Sequence, residues 1–268
     1  MKNFKDFNSK IEFILTDIDD TLSTEGQLHA AAYESLWKLH DAGLKIIPIT
    51  GRPAGWCEMI ARFWPVDGVI GENGGFYFRY SADQLGELKK MHRWFFFDSI
   101  TREQNQKKLA LIQNEILSQI PQAGLASDQF CRMMDLAIDF CEDVPSLTSD
   151  QIQKIVHIFE KNGAQAKISS IHVNGWFGNY NKVSTSLEYF KNIYGFSESE
   201  CHQKCLFIGD SLNDEPMFEK FPLSVGVSNI QKFLPLMKSP PQFITTLPAG
   251  DGFTELAQHL LKLKLDSI

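Results

Sequence analysis

The strongest constraint on this chain is a recurring pattern of short apolar runs of strand length, each followed by a polar cluster and then by helical periodicity. Residues 11–16 (Ile-Glu-Phe-Ile-Leu-Thr) form the first such run, and Tyr33, Leu36, Leu39 and His40 follow at helical spacing. Gly43 stands where a helix C-cap belongs. Residues 44–50 and Gly68-Val-Ile-Gly give two more strands. The pattern returns late in the chain. Val183, Leu187, Phe190 and Tyr194 make a helix stripe, Cys205-Leu-Phe-Ile a buried strand, Leu223-Ser-Val-Gly-Val another, and Phe253, Leu256, Ala257, Leu260 and Leu261 a closing helix. Apolar strands alternating with amphipathic helices predict a parallel sheet covered on both faces, an α/β fold of the doubly wound, Rossmann-like kind.

The middle of the chain has a different character. Leu109, Ile112 and Ile116 predict one helix, and Ile152, Ile155, Val156 and Phe159 another. Residues 94–97, 132–140 and 166–173 read as strands. We therefore expect an inserted α+β cap over residues 84–176, with residues 1–83 and 177–268 folding together as one discontinuous core. One continuous sheet is the competing arrangement.

Charge narrows the function classes. Twenty-six basic residues against 33 acidic ones give a formal charge of −7, which opposes a nucleic-acid footprint but leaves room for a small anionic ligand held by a local cation cluster. No apolar run approaches the roughly 18 residues that span a bilayer, so no membrane partner is expected. The N-terminus lacks signal-peptide character, and the five cysteines form neither a disulfide framework nor a CxxC pair. The expected location is cytoplasmic. Nothing in the sequence specifies an oligomeric state.

Asp17-Ile-Asp19-Asp20-Thr21 directly follows the first strand. Ligands of open α/β sheets sit beyond the carboxyl ends of strands, and carboxylates at i and i+2 on an extended segment point the same way. Such a pair serves as metal ligands or as a nucleophile with a general acid. Gly209-Asp210-Ser-Leu-Asn213-Asp214 follows a second buried strand, with Gly209 allowing a tight exit. Four or five convergent carboxylates repel one another; a divalent cation removes that conflict, and an all-oxygen ligand set favours Mg²⁺ over zinc. Thr50-Gly51-Arg52, after the strand of residues 44–49, and Lys182, heading the helix with Leu187, supply a hydroxyl, backbone N–H groups and an ammonium. These are the parts needed to hold a phosphoryl group.

In this order, Asp17/Asp19, Thr50, Lys182 and Asp210/Asp214 resemble the four motifs of the haloacid dehalogenase superfamily, and the long insertion is similar to the C2-type cap of its Cof-like and sugar-phosphate phosphatases. Glu72-Asn73-Gly74-Gly75 resembles a segment such proteins carry after their third strand. Asp20 departs from the pattern, where many members have Gly. The resemblance implies a Mg²⁺-dependent phosphatase. Asp17 would attack phosphorus, and Asp19 would protonate the leaving oxygen and later activate water. Asp17, the backbone carbonyl of Asp19, Asp210 and Asp214 would serve the metal, while Thr50, Gly51, Lys182 and Asn213 would hold phosphate. The expected partner is a small phosphorylated metabolite, with a phosphomannomutase-like transfer or a non-catalytic binding protein as alternatives.

Strand alternation suggests what the cap presents. Met134, Leu136, Ile138 and Phe140 should pack under the cap helices, turning Asp135 and Asp139 to the opposite side. Ser170, His172 and Asn174 share a face, with Trp176 just beyond. Polar groups beside an indole suit a sugar. Together with Arg52 and Asn73, the residues Asp135, His172, Asn174 and Trp176 are the expected substrate contacts.

Overall fold

The structure is a computed structural model that describes residues 2–4, 7, 10–82, 88–169 and 171–265. The chain begins with β1 (Lys2–Asn3), β2 (Phe13–Thr16), α1 (Ala30–Asp41), β3 (Lys45–Pro48), α2 (Ala54–Phe63), β4 (Val69–Gly71), β5 (Phe76–Ala82) and β6 (Lys89–Phe95). Next come α3 (Ser99–Gln119), β7 (Gly124–Leu125), β8 (Asp135–Asp139), α4 (Ser149–Lys161), β9 (Gln165–Ile168) and β10 (His172–Trp176). It closes with α5 (Lys182–Tyr194), α6 (Glu198–Lys204), β11 (Cys205–Gly209), α7 (Glu215–Lys220), β12 (Ser224–Gly226), β13 (Phe243–Ile244) and α8 (Ala249–Leu265).

The core is a six-stranded sheet in the order β1-β13-β12-β11-β2-β3, every pairing parallel. Its strands are apolar throughout because both faces are covered. In β2, Ile14 packs with Leu36, Leu39, Phe253 and Leu256 of α1 and α8. Phe13 and Leu15 turn the other way, onto Tyr189 and Phe190 of α5 and Met217 and Phe218 of α7. From β2 the chain steps to β3 on one side, while β11 occupies the other side. That reversal places a crevice at the carboxyl end of β2, where ligands bind in such sheets.

The cap is an antiparallel sheet, β7-β8-β10-β9, backed by α3 and α4 through Leu109, Ile112, Ile116, Ile155 and Phe159. Two details differ from the sequence reading. Residues 94–97 were expected inside the cap, but β6 pairs antiparallel with β5 along its whole length in a separate sheet, β4-β5-β6. A strand pattern does not specify its partner. The single strand expected over residues 166–173 is a hairpin of β9 and β10. Ser169 closes it: its N–H donates to the His172 carbonyl at 2.8 Å and its hydroxyl oxygen accepts the His172 N–H at 3.0 Å.

Candidate active site

Three loops at the carboxyl ends of the adjacent strands β11, β2 and β3 bring Asp210, Asp17 and Thr50 together. The N-terminus of α5 supplies the fourth part. Its N-cap, Asn181, accepts the Ser184 N–H at 2.9 Å while the Ser184 hydroxyl accepts the Asn181 N–H at 3.0 Å, a reciprocal cap that fixes the first turn. Lys182, on that turn, donates to Asp17 Oδ1 at 2.7 Å and to Asp214 Oδ1 at 2.8 Å. All three side chains are buried.

Oxygens of Asp17, Asp210 and Asp214 lie within 4.8 Å of one another. Asp214 is already satisfied by protein donors, since its Oδ2 accepts the N–H groups of Asp210 and Ser211 at 3.1 and 3.4 Å. The oxygens left for a cation belong to Asp17 and Asp210. Burial, aided by Asp214 and Asp19 and opposed by Lys182, pushes Asp17 up to about 8. Burial, with Asp214, Asp17 and Asp20 adding to it, pushes Asp210 up to about 9. Burial disfavours the Lys182 ammonium, but Asp17 and Asp214 outweigh it and raise its pKa. A carboxylate pair held above its ordinary range by burial and mutual repulsion is the electrostatic setting a divalent cation relieves. Asn213, whose buried Oδ1 has no hydrogen-bond partner, borders the same cavity. The residues present fit a hard, oxygen-ligated divalent ion.

Gly209 is required for a reason other than strand exit: a Cβ there would lie 2.6 Å from Asp214 Oδ2. Asp20 adopts φ +55°, the left-handed region, so this position has a backbone geometry that glycine takes most readily. Thr50 is fully buried, and its Oγ1 accepts the Arg52 N–H at 3.0 Å. Asp19 faces Arg52, whose Nη2 donates to Oδ1 at 2.7 Å and whose Nε reaches both carboxylate oxygens at 3.2 Å. The Arg52 guanidinium in turn stacks 4.7 Å from the Trp56 ring.

A cavity of about 390 Å³ opens over these groups, lined by Asp17, Asp19, Gly51, Arg52, Asn73 and Asn213 from the core and by Arg132, Ser169, His172 and Asn174 from the cap. Expected contacts Asp135 and Trp176 do not line it. Asp135 is wholly buried, accepting from Arg132 Nη1 at 3.0 Å and Asn174 Nδ2 at 3.0 Å. Asp139 is equally buried and accepts N–H groups of residues 141–143. Alternation separates two faces of a strand but does not say that one meets water, and here both are covered. Trp176 is buried and stacks on Tyr180, centroids 5.8 Å apart. His172 and Asn174 do reach the cavity; Ser170 lies outside the described residues.

Sequence reasoning missed four residues here. Asn229 links the site's two acidic loops, donating from Nδ2 to the Asp20 carbonyl at 3.0 Å and Asp210 Oδ2 at 3.2 Å. Lys167, from β9 in the cap, donates to the Asn213 carbonyl at 2.9 Å; burial and the Lys182 charge push it down to about 8. Glu72, wholly buried, gathers the N–H groups of Ala54, Met133, Met134 and Asp135. Arg132 is the fourth. Neither Asn229 nor Lys167 belongs to a recognisable pattern. The Glu72 segment was visible as a motif without a role.

No family model matches the chain. A curated relative, the phosphoglycolate phosphatase of Methanobrevibacter smithii, is 24% identical over 255 residues, covering 94% of this chain and 99% of the relative. Among solved structures, a haloacid dehalogenase-like hydrolase from Bacteroides thetaiotaomicron is similar with a TM-score of 0.66 at 16% identity, covering 94% of this chain and 99% of that one. A sucrose-phosphatase from Synechocystis, solved with sucrose and phosphate, gives a TM-score of 0.62 at 16% identity over 94% and 98%.

Proposed function

We propose that this chain, a member of the haloacid dehalogenase superfamily by fold and by its four ordered motifs, is a Mg²⁺-dependent phosphomonoester hydrolase acting through an aspartyl-phosphate at Asp17. The observation that carries the reading is Lys182 bridging Asp17 and Asp214 while Asp210 stands within ligand distance of both acids. Lys182 holds one oxygen of Asp17, so that the charge of the carboxylate placed to attack phosphorus is partly balanced. Asp19, two residues on, is oriented by Arg52 to protonate the leaving oxygen and then to take a proton from the hydrolytic water. The Thr50 hydroxyl, the Gly51 N–H and the Lys182 ammonium gather the charge that develops on the phosphoryl oxygens. Bound at Asp17 and Asp210, with Asp214 supporting, Mg²⁺ would neutralise the convergent carboxylates and polarise the phosphoryl group. The cap's role in selecting substrate, and the division into a core of residues 1–83 and 177–268 and a cap of residues 84–176, are part of the same proposal, with β6 lying against β5 of the core.

The leaving group we infer is neutral and hydroxyl-bearing, as in a sugar phosphate. Arg132 and Arg52 are each already paired with carboxylates, and burial lowers the pKa of His172. The cap wall thus offers His172, Asn174 and Ser169 as uncharged hydrogen-bonding groups beside Ile168 and Ile171. The phosphomannomutase-like alternative gains no support from the relatives reported above, which are named as phosphatases or hydrolases.

The test is phosphate release from p-nitrophenyl phosphate and a panel of phosphorylated metabolites, with and without Mg²⁺. Metal-dependent release that Asp17→Asn abolishes is expected; undiminished release by that variant would sink covalent catalysis.

A further inference from the structure

Arg132 belongs to the cap segment, just before β8, yet its guanidinium crosses to the phosphate-binding loop of the core. Nη1 donates to the Gly51 carbonyl at 3.0 Å across 81 residues of sequence. Its side chain is 2% exposed: Nη1 also donates to Asp135 Oδ1 at 3.0 Å, Nε donates to Asp128 Oδ1 at 3.2 Å, and Nη2 lies 3.1 Å from the same Asp128 oxygen as an ion pair. Flanked by the Asp128 and Asp135 carboxylates, this arginine lines the cavity with its charge already balanced.

The peptide it grips is the one joining Gly51 to Arg52. The carbonyl of that peptide accepts from Arg132, and its N–H donates to Thr50 Oγ1 at 3.0 Å. A hydroxyl has one proton to give. With the Arg52 N–H occupying a lone pair of Thr50, that proton must point at another acceptor. Hydrogen bonds in series polarise one another, so a cationic donor on the carbonyl strengthens the N–H bond beyond it.

Resting on the phosphatase reading above, we propose that Arg132 is a positioning residue: from the cap, it fixes the Gly51–Arg52 peptide so that the Thr50 hydroxyl is held as a donor to the phosphoryl group. The phosphate site is then complete only when the cap segment is docked on the loop. Glu72 supports the docking, because its carboxylate accepts N–H groups from Met133, Met134 and Asp135, the residues that follow Arg132.

Arg132→Lys keeps the charge but cannot serve Gly51, Asp135 and Asp128 together. We expect kcat on p-nitrophenyl phosphate to fall about 10- to 100-fold, as for a displaced transition-state donor. The fold-loss should be equal for aryl and sugar phosphates, because the effect lies on the phosphoryl loop and not on the leaving group. Against a Thr50→Val background, the same change should cost less than about twofold, since the donor it positions is gone. Additive losses in that cycle, or a loss that varies with the leaving group, would overturn the proposal. If Arg132→Lys does not fold, Asp128→Asn/Arg132→Met/Asp135→Asn removes the buried charges together and carries the same cycle. The cycle is repeated on inorganic phosphate affinity by calorimetry with Mg²⁺ present. Wild-type protein that releases no phosphate from any ester would refute the phosphatase reading alone, and the binding cycle would still decide the role of Arg132.

Discussion

Lys182 Nζ stands 2.7 Å from Asp17 Oδ1, joining residues 165 positions apart across the seam between the first and last thirds of the chain. Both are buried, so the contact is a charge-assisted hydrogen bond out of water, and breaking it leaves a carboxylate without its counter-charge. Lys182→Met should therefore act twice. Loss of transition-state stabilisation should lower kcat at least about 100-fold, and the uncompensated Asp17–Asp214 pair should lower stability measurably. Steady-state phosphate release and urea unfolding on the same preparation check both; full activity would remove Lys182 from the site.

The Arg52–Asp19 pair predicts a dependence on the leaving group. p-Nitrophenolate departs with little need of a proton, whereas a sugar alkoxide does not. Arg52→Ala releases Asp19 from its 2.7 Å contact and should slow alkyl phosphates by about 10²-fold or more, within the range for general-acid catalysis, with a smaller loss on p-nitrophenyl phosphate. Parallel kcat/KM measurements on the two ester types would show it. Equal losses on both would mean that Arg52 acts on phosphate binding instead.

A pH prediction follows from Asp17 and Asp210, pushed up to about 8 and about 9 by burial first and by neighbouring carboxylates second. Both ordinarily titrate near 3.8. Between that value and about 8 or 9 the ion-free folded protein binds more protons than the unfolded chain, so its stability falls as pH rises through this window. Mg²⁺ must displace those protons to bind, so its affinity should rise with pH over the same window. Calorimetry of Mg²⁺ binding in two buffers of different ionisation enthalpy should detect proton release at pH 7 that fades toward pH 10. Binding with no proton release at pH 7 would contradict the ligand assignment.

These relationships also show which parts of the protein were readable from sequence. Asp17, Thr50, Lys182 and Asp210 stood out because each is a polar group at the end of a predicted strand or the head of a predicted helix, and the structure places them at those ends. The alternation of Ile14 against Phe13 and Leu15 gave the sheet, since a strand covered on both faces must be apolar on both. What failed were questions of partnership. Asp135 was assigned to the cleft, but its neighbour Arg132 buries it; β6 was assigned to the cap, but it pairs with β5. A single sequence records the type of a residue and its local period. The contacts of Asn229 with Asp20 and Asp210, 209 and 19 positions away, leave no local trace.

Glu72 offers the sharpest test of the link between cap and core. Its two oxygens accept main-chain N–H groups from Ala54 of α2 and from Met133, Met134 and Asp135, with no solvent contact. The turn that carries it runs through positive φ at Glu72, Asn73 and Gly74, a conformation that only surrounding contacts hold in place. Glu72→Ala leaves four main-chain donors without this acceptor, three of them buried, each buried one costing about 1–3 kcal/mol before any water enters. We expect a net loss of roughly 3 kcal/mol or more, at the upper end for single substitutions. Glu72→Gln keeps one carbonyl oxygen but sets an NH₂ group against N–H donors, so it should recover only part of that loss. Urea unfolding of both variants, with hydrogen exchange at residues 133–135, would locate the damage. Unchanged protection of those amides in Glu72→Ala would show that the cap is docked by its other contacts and that the carboxylate is dispensable.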